Sequence, residues 1–248
     1  MSTAPSANLT AAGTIAANAA VVPLIPRLEN GDHLTREEFL LRWDASPHIK
    51  KAELLDGVVY MSAAVYHSQH SAPHAQFMAW LGAYYYATPG IDLGDNGTVG
   101  LEKKSLPQPD AYLLLPTELG GKSNENETGY LEGPPDFVGE IAATSASIDL
   151  HIKLRLYERT GVPEYLVWRT INRAIDWFIL ENHQFVPLSP DNGILKSRRF
   201  PGLWLDPAAM VAGDSQRVYE VLQQGIATPE HAAFKAELAK LKTGETTA

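Results

Sequence analysis

The chain has 248 residues, of which 45% are hydrophobic and 20% charged; this suits one large domain with extensions and excludes general disorder. With no cysteine, disulfides, thiolate nucleophiles and Cys-ligated zinc are excluded, so any metal must sit on oxygen or imidazole ligands. A net charge of −9 opposes casual attachment to a phosphate backbone, although Lys103, Lys104, Lys153, Arg155, Arg159, Lys196, Arg198 and Arg199 are candidates for a local basic cluster.

No stretch approaches the roughly 18 consecutive apolar residues of a membrane-spanning helix, and a soluble, cytoplasmic protein is expected. Residues 1–28 are rich in Ala, Ser and Thr, with no basic residue before Arg27, and read as a flexible tail rather than a secretory signal. Regular structure begins at Thr35, where Thr35 and Glu38 have capping-box spacing ahead of Phe39, Leu40 and Leu41. Ala52 to Tyr60 reads as a hairpin turning at Asp56-Gly57, with Glu53 on its first strand. From Ser71 to Ala87, Phe77, Trp80, Leu81, Tyr84 and Tyr85 recur at helical spacing, and Pro89-Gly90 stops the run.

Strands are then expected around Gly97 to Lys103 and from Asp110 to Leu115, followed by a mobile polar loop from Glu118 to Gly133. Phe137 to Ala142 is an apolar strand interrupted by one acid. Ser147 is placed to cap a helix from Ile148 to Thr160 that Gly161 ends. Glu164 to Trp168 continues as a strand, Ala174 to Leu180 and Gln184 to Leu188 form a hairpin around Glu181-Asn182-His183, and Ile194 to Ser197 adds a strand. Beyond Pro201-Gly202 the chain reads as helical, with Pro229 to Lys242 a peripheral or dimerising helix. The expected organisation is therefore a tail (1–28), an α/β domain (29–205) and a helical extension (206–248).

Two acids stand where buried strands want apolar side chains: Asp110 directly before Ala111, and Glu140 within Phe137 to Ala142. An unpartnered buried carboxylate is costly, so such residues are paired, protonated or metal-bound. If the two strands are neighbours, both carboxylates reach one point, and hard oxygen ligands suit Mg²⁺ or Mn²⁺. On the following helix, Asp149, Lys153 and Tyr157 fall at four-residue steps and share a face. His67, His70 and His74 form another cluster, with the last two at a zinc-sharing spacing but without a matching glutamate between them.

Pro109-Asp110, then Glu140, then a lysine resembles the PD-(D/E)XK nuclease superfamily. Pro135 to Ile141 followed by Asp149, Lys153, Tyr157 and Gly161 to Tyr165, with Leu54 to Gly57 and Pro73-His74 ahead of them, is similar to the family of putative restriction endonucleases called Uma-two. The resemblance, which spans roughly Leu34 to Leu180, implies a restriction-endonuclease-like α/β core, a mixed β-sheet flanked by α-helices. It also implies Mg²⁺- or Mn²⁺-dependent hydrolysis of DNA phosphodiester bonds by a homodimer. By matched position, Asp110 and Glu140 would be metal ligands, the Ile141 backbone would add a carbonyl, and Glu53 would be an accessory acid. The superfamily's lysine stands two residues after the acid, where this sequence has Ala142, so Lys153 would replace it from the helix, as base or as charge stabiliser. Two other readings stand beside this one: a nuclease fold kept as a catalytically silent binding or regulatory module, and a zinc hydrolase centred on His70 and His74.

Overall fold

The computed structural model describes residues 25–61 and 66–243, so residues 1–24 of the expected tail lie outside the described part. Helix α1 (Arg36–Asp44) starts where Thr35 Oγ1 accepts the Glu38 N–H, as the capping spacing requires. Strands β1 (Ala52–Leu55) and β2 (Val58–Met61) pair antiparallel through Asp56-Gly57, both with positive φ (53° and 82°), which matches a two-residue turn to the strand twist. With α1 they enclose a small core of Leu28, Leu34, Phe39, Leu54, Val59 and Leu106.

Helix α2 (Ala72–Ala87) follows a π-helical turn, His67–Ser71, in which the Ser71 N–H reaches back to the Tyr66 carbonyl. Next come β3 (Asp92–Gly94), β4 (Val99–Gly100) and β5 (Ala111–Leu114). Residues 118–133 hold part of a 3₁₀ turn and two short strands, β6 (Asn124–Glu125) and β7 (Leu131–Glu132), which form a three-stranded sheet with β4. The expected strand over 97–103 is thus cut to two residues, because the chain turns back where the Ser105 N–H bonds the Glu102 carbonyl. Strand β3 was not anticipated.

The main sheet has the order β11-β10-β9-β8-β5-β3, with β8 (Phe137–Ala142), β9 (Glu164–Arg169), β10 (Ala174–Glu181) and β11 (Gln184–Pro187). Every pairing in it is antiparallel except β8 with β9, and that parallel step requires a crossover. Residues 143–163 supply it, as a π-helical stretch (Ile148–Lys153) running into α3 (Leu154–Thr160) and ending at Gly161 with φ 84°. Both faces of the sheet are covered, which is why β8 is buried at all six residues. Phe137, Ile141, Leu166, Trp168, Trp177 and Ile179 face Phe77, Trp80 and Leu81 of α2; Val138, Ala142, Tyr165 and Val167 face Tyr157 of α3.

After the sheet, β12 (Leu195–Lys196) pairs with β13 (Trp204–Leu205), so a strand intervenes between Pro201-Gly202 and the terminal helices. Those helices are α4 (Pro207–Ala212), α5 (Ser215–Ile226) and α6 (Pro229–Thr243). Met210, Val218, Leu222, Phe234 and Leu238 join the same hydrophobic cluster as α2 and the sheet. The architecture is a mixed sheet flanked by helices, as the family resemblance implies.

Candidate active site

Register explains why two acids meet. Ala111 of β5 pairs with Gly139 of β8, so Asp110, one step before β5, falls beside Glu140. The Ile141 N–H bonds Asp110 Oδ2 at 2.8 Å and fixes that carboxylate against the strand. Both acids line a cavity of about 720 Å³, with Lys51, Glu53, His70, His74, Ile141, Asp149 and Lys153 among its walls.

The β1–β2 hairpin contributes the opposite wall. Lys51 and Glu53 are two apart in extended chain and therefore project to the same side. Glu53 Oε1 accepts the Gln108 N–H (2.7 Å) and pairs with Lys153 Nζ at 2.8 Å. Lys153 Nζ also bonds Glu140 Oε1 at 2.9 Å and lies 3.6 Å from Asp149 Oδ1. The Tyr157 hydroxyl donates to the same Glu140 oxygen at 3.1 Å. Asp149, Lys153 and Tyr157 thus share a face across the π-helical stretch, while Ser147 makes no cap bond and already has helical dihedrals. Ser145, two residues earlier, bonds Asp149 Oδ2 through its hydroxyl at 2.6 Å.

Asp110 Oδ1 pairs with Lys51 Nζ at 2.9 Å, and His70 Nε2 is 3.4 Å from Oδ2. His74 Nε2 is 3.2 Å from the Asp110 carbonyl and 3.1 Å from Asp95 Oδ1. The two imidazoles stack 5.8 Å apart and address different carboxylates, whereas a shared zinc would need them aimed at one point. His67 is exposed and does not line the cavity.

The charges in the cleft do not cancel. Glu53, Asp110, Glu140 and Asp149 are all buried, and these four carboxyl groups outnumber by two the ammonium groups, Lys51 and Lys153, that face them. Protonation equilibria carry the same imbalance. Burial, together with Asp110, Asp149 and Glu53, pushes Glu140 well above the usual carboxylate range, and Lys153 only partly opposes this. Lys153 is itself desolvated, but Glu140, Glu53 and Asp149 raise it well above an ordinary lysine, so it keeps its proton. Asp110 moves the other way: burial would raise it, and His70, Lys51 and the Ile141 N–H bring it below the ordinary range. For Lys51, desolvation is outweighed by Asp110, Glu140 and Glu53, and its pKa is raised.

Two other buried acids, outside the cleft, are met mainly by fixed donors, and burial still raises both above the ordinary carboxylate value. Glu164 accepts the Ser197 hydroxyl and the N–H groups of Arg198 and Arg199, and Asp136 accepts the Leu115 N–H and pairs with Arg199 at 2.6 Å. Arg159 is bonded to Asp56 and Glu102, Lys196 to Asp191, and Arg198 to Glu181. With Lys153 and Arg199, five of the eight residues of the proposed basic cluster are therefore committed to ion pairs in separate places and do not form one phosphate-binding patch.

The family model described as Uma2, putative restriction endonuclease, matches residues 36–208, which include every residue named in the cleft. The chain belongs to the Uma2 family. A solved structure of a putative nuclease belonging to DUF820 from Anabaena variabilis ATCC 29413 is similar to this Uma2 chain, with a TM-score of 0.50 and 10% identity over 64% of this chain and 90% of that one. At that identity the likeness is one of fold. No curated protein matches.

Sequence reasoning placed Glu53, Asp110, Glu140, Ile141 and Lys153, and the Uma2 structure brings all five to one cavity. It missed Lys51 and the contacts of His70 and His74 with Asp110 and Asp95. For Lys51 a signal was present, because a Lys-x-Glu step at a strand start puts a cation and an acid on one side.

Proposed function

We propose that this protein is a divalent-metal-dependent endonuclease that hydrolyses DNA phosphodiester bonds, with Mg²⁺ or Mn²⁺ between Asp110 and Glu140. The surplus of four buried carboxyl groups over two ammonium groups carries this reading, because a dication between Asp110 and Glu140 would offset it and favour the ionised form of both. Among the described residues no three imidazole or carboxylate side chains form a ready-made metal cage. The donor set fits Mg²⁺ nonetheless, since that ion is usually held by one or two carboxylates and keeps several waters. Glu140 Oε1 receives both Lys153 and Tyr157, which leaves Oε2 for a ligand, and the Ile141 backbone borders the same space. Bound there, the ion would acidify a water and polarise a phosphoryl oxygen.

The chain's own residues do the rest. Lys153, held protonated by three carboxylates, acts as a fixed positive charge for the phosphorane-like transition state and not as the base. Glu53 fixes the Lys153 ammonium from the hairpin side, and Asp149 and Tyr157 complete its cradle. A homodimer would present two such clefts, suited to cutting both strands of a duplex.

The test is incubation of the protein with plasmid, single-stranded DNA and RNA under Mg²⁺, Mn²⁺ or chelator. Metal-dependent cleavage that drops by about a hundredfold or more in Asp110→Ala and Glu140→Ala is expected. Uptake of Mn²⁺ without cleavage of any substrate would instead establish the silent binding module, a reading favoured by the acidic net charge.

A further inference from the structure

We infer that Lys51 is an exchangeable cation of the site: it occupies Asp110 Oδ1 until a dication displaces it, and its released ammonium group then binds a phosphate oxygen of the substrate. The inference rests on the metal reading above and adds a residue to it. Asp110 has two oxygens, and Oδ2 is already engaged by the Ile141 N–H and approached by His70. A cation entering on Asp110 therefore meets Lys51, whose Nζ lies 2.9 Å from Oδ1.

The two lysines of the cleft are built for different behaviour. The Lys153 side chain is 4% exposed and has carboxylates on three sides. The Lys51 side chain is 28% exposed, lies ahead of β1 and among the described residues has one other hydrogen-bond partner, the exposed amide of Asn96, with Oδ1 at 2.9 Å. Lysine is a compact charge on a flexible stem with three donors, so Lys51 can leave Asp110 without leaving the cavity wall it belongs to. A dication on Asp110 takes over the place of Lys51 there, and the incoming phosphodiester brings a new negative charge to be met. Lys51 is the cation freed at that moment.

Lys51→Gln removes the competitor, so the free protein should bind Mn²⁺ about tenfold more tightly in a calorimetric or electron-spin titration without nucleic acid, whereas Lys51→Arg should stay near wild type. A lysine that only braced the cleft would give the opposite sign, since its loss would loosen the carboxylates. In the second arm, Mn²⁺-loaded protein is mixed with a fluorescent DNA duplex and its anisotropy read before turnover. Lys51→Gln should bind the duplex about tenfold more weakly than wild type. Wild type that binds Mn²⁺ while Lys51→Gln binds it no better overturns the exchange and leaves the metal reading intact. Equal duplex binding by the two overturns the phosphate contact. Wild type that takes up no Mn²⁺ sinks the metal reading and this inference with it.

Discussion

Lys153 sits among more negative charge than it can neutralise, and its surroundings decide what its loss would do. Glu53, Glu140 and Asp149 are buried around its ammonium group. Lys153→Met should cost about 3–5 kcal/mol in a denaturant titration, because it leaves buried acids without their partner. Glu140→Gln should act in the opposite direction. Burial and like charges make the ionised Glu140 unfavourable, and an amide keeps an oxygen for Lys153 and Tyr157. A gain of about 1–2 kcal/mol with loss of Mn²⁺ binding is expected, the pattern of a site that gives up stability for function. Asp110 and Glu140 were legible in the sequence because acids in apolar strands demand partners. The Lys51 step two before Glu53 hinted at a cation on that side, but neither it nor the histidine spacing around His70 says that the hairpin wall and the turn before α2 face β5.

Among the elements, α2 crosses β8 closely at Gly139, next to Glu140 of the cleft. A Cβ on Gly139 would lie 2.4 Å from the Phe77 ring, and neither the central strand nor a buried aromatic can give way cheaply. Gly139→Ala should destabilise by about 1–3 kcal/mol and disturb the neighbouring Glu140, which chemical denaturation and Mn²⁺ titration would both read. Helix α6 is tied to the end of α2 by a neutral imidazole. His231 Nδ1 donates to the Ile226 carbonyl, so Nε2 accepts from the Thr88 hydroxyl. Burial lowers the His231 pKa below its ordinary 6.5, so the folded state takes up its proton less readily than the unfolded chain. The stability it contributes is complete above about pH 6.5 and is lost as pH falls from there through the lower folded-state value. Melting curves from pH 8 to 5 should show this decline, and His231→Gln should flatten it. Hairpins with positive-φ turn residues and the capped helix α1 were readable from the sequence. Strand β3 was not, because it is three residues long and pairs through only one edge, and Ser147 misled because the crossover opens with helical dihedrals ahead of it.

At the scale of the whole molecule, the sheet and α2 share their core with the terminal helices. Leu238 of α6 is 1% exposed and lies in the cluster that contains Trp80 and Phe137. Leu238→Ala should therefore cost about 2–5 kcal/mol, measurable by thermal or denaturant unfolding. The central strands were foreseeable from their largely apolar runs, whereas the mixed sheet they form was what the family resemblance implied. The closeness of the terminal helices to that core was not, since composition alone does not say which surface a helix covers.

The hairpin has its own small core, and the cleft lies along the seam between that core and the sheet. Two of the ionic contacts crossing it, Lys51 to Asp110 and Glu53 to Lys153, fasten one body to the other. Any ion or ligand that rearranges those bonds also resets how firmly the hairpin is clasped, so occupancy of the cleft and the mechanical integrity of the protein draw on the same rivets.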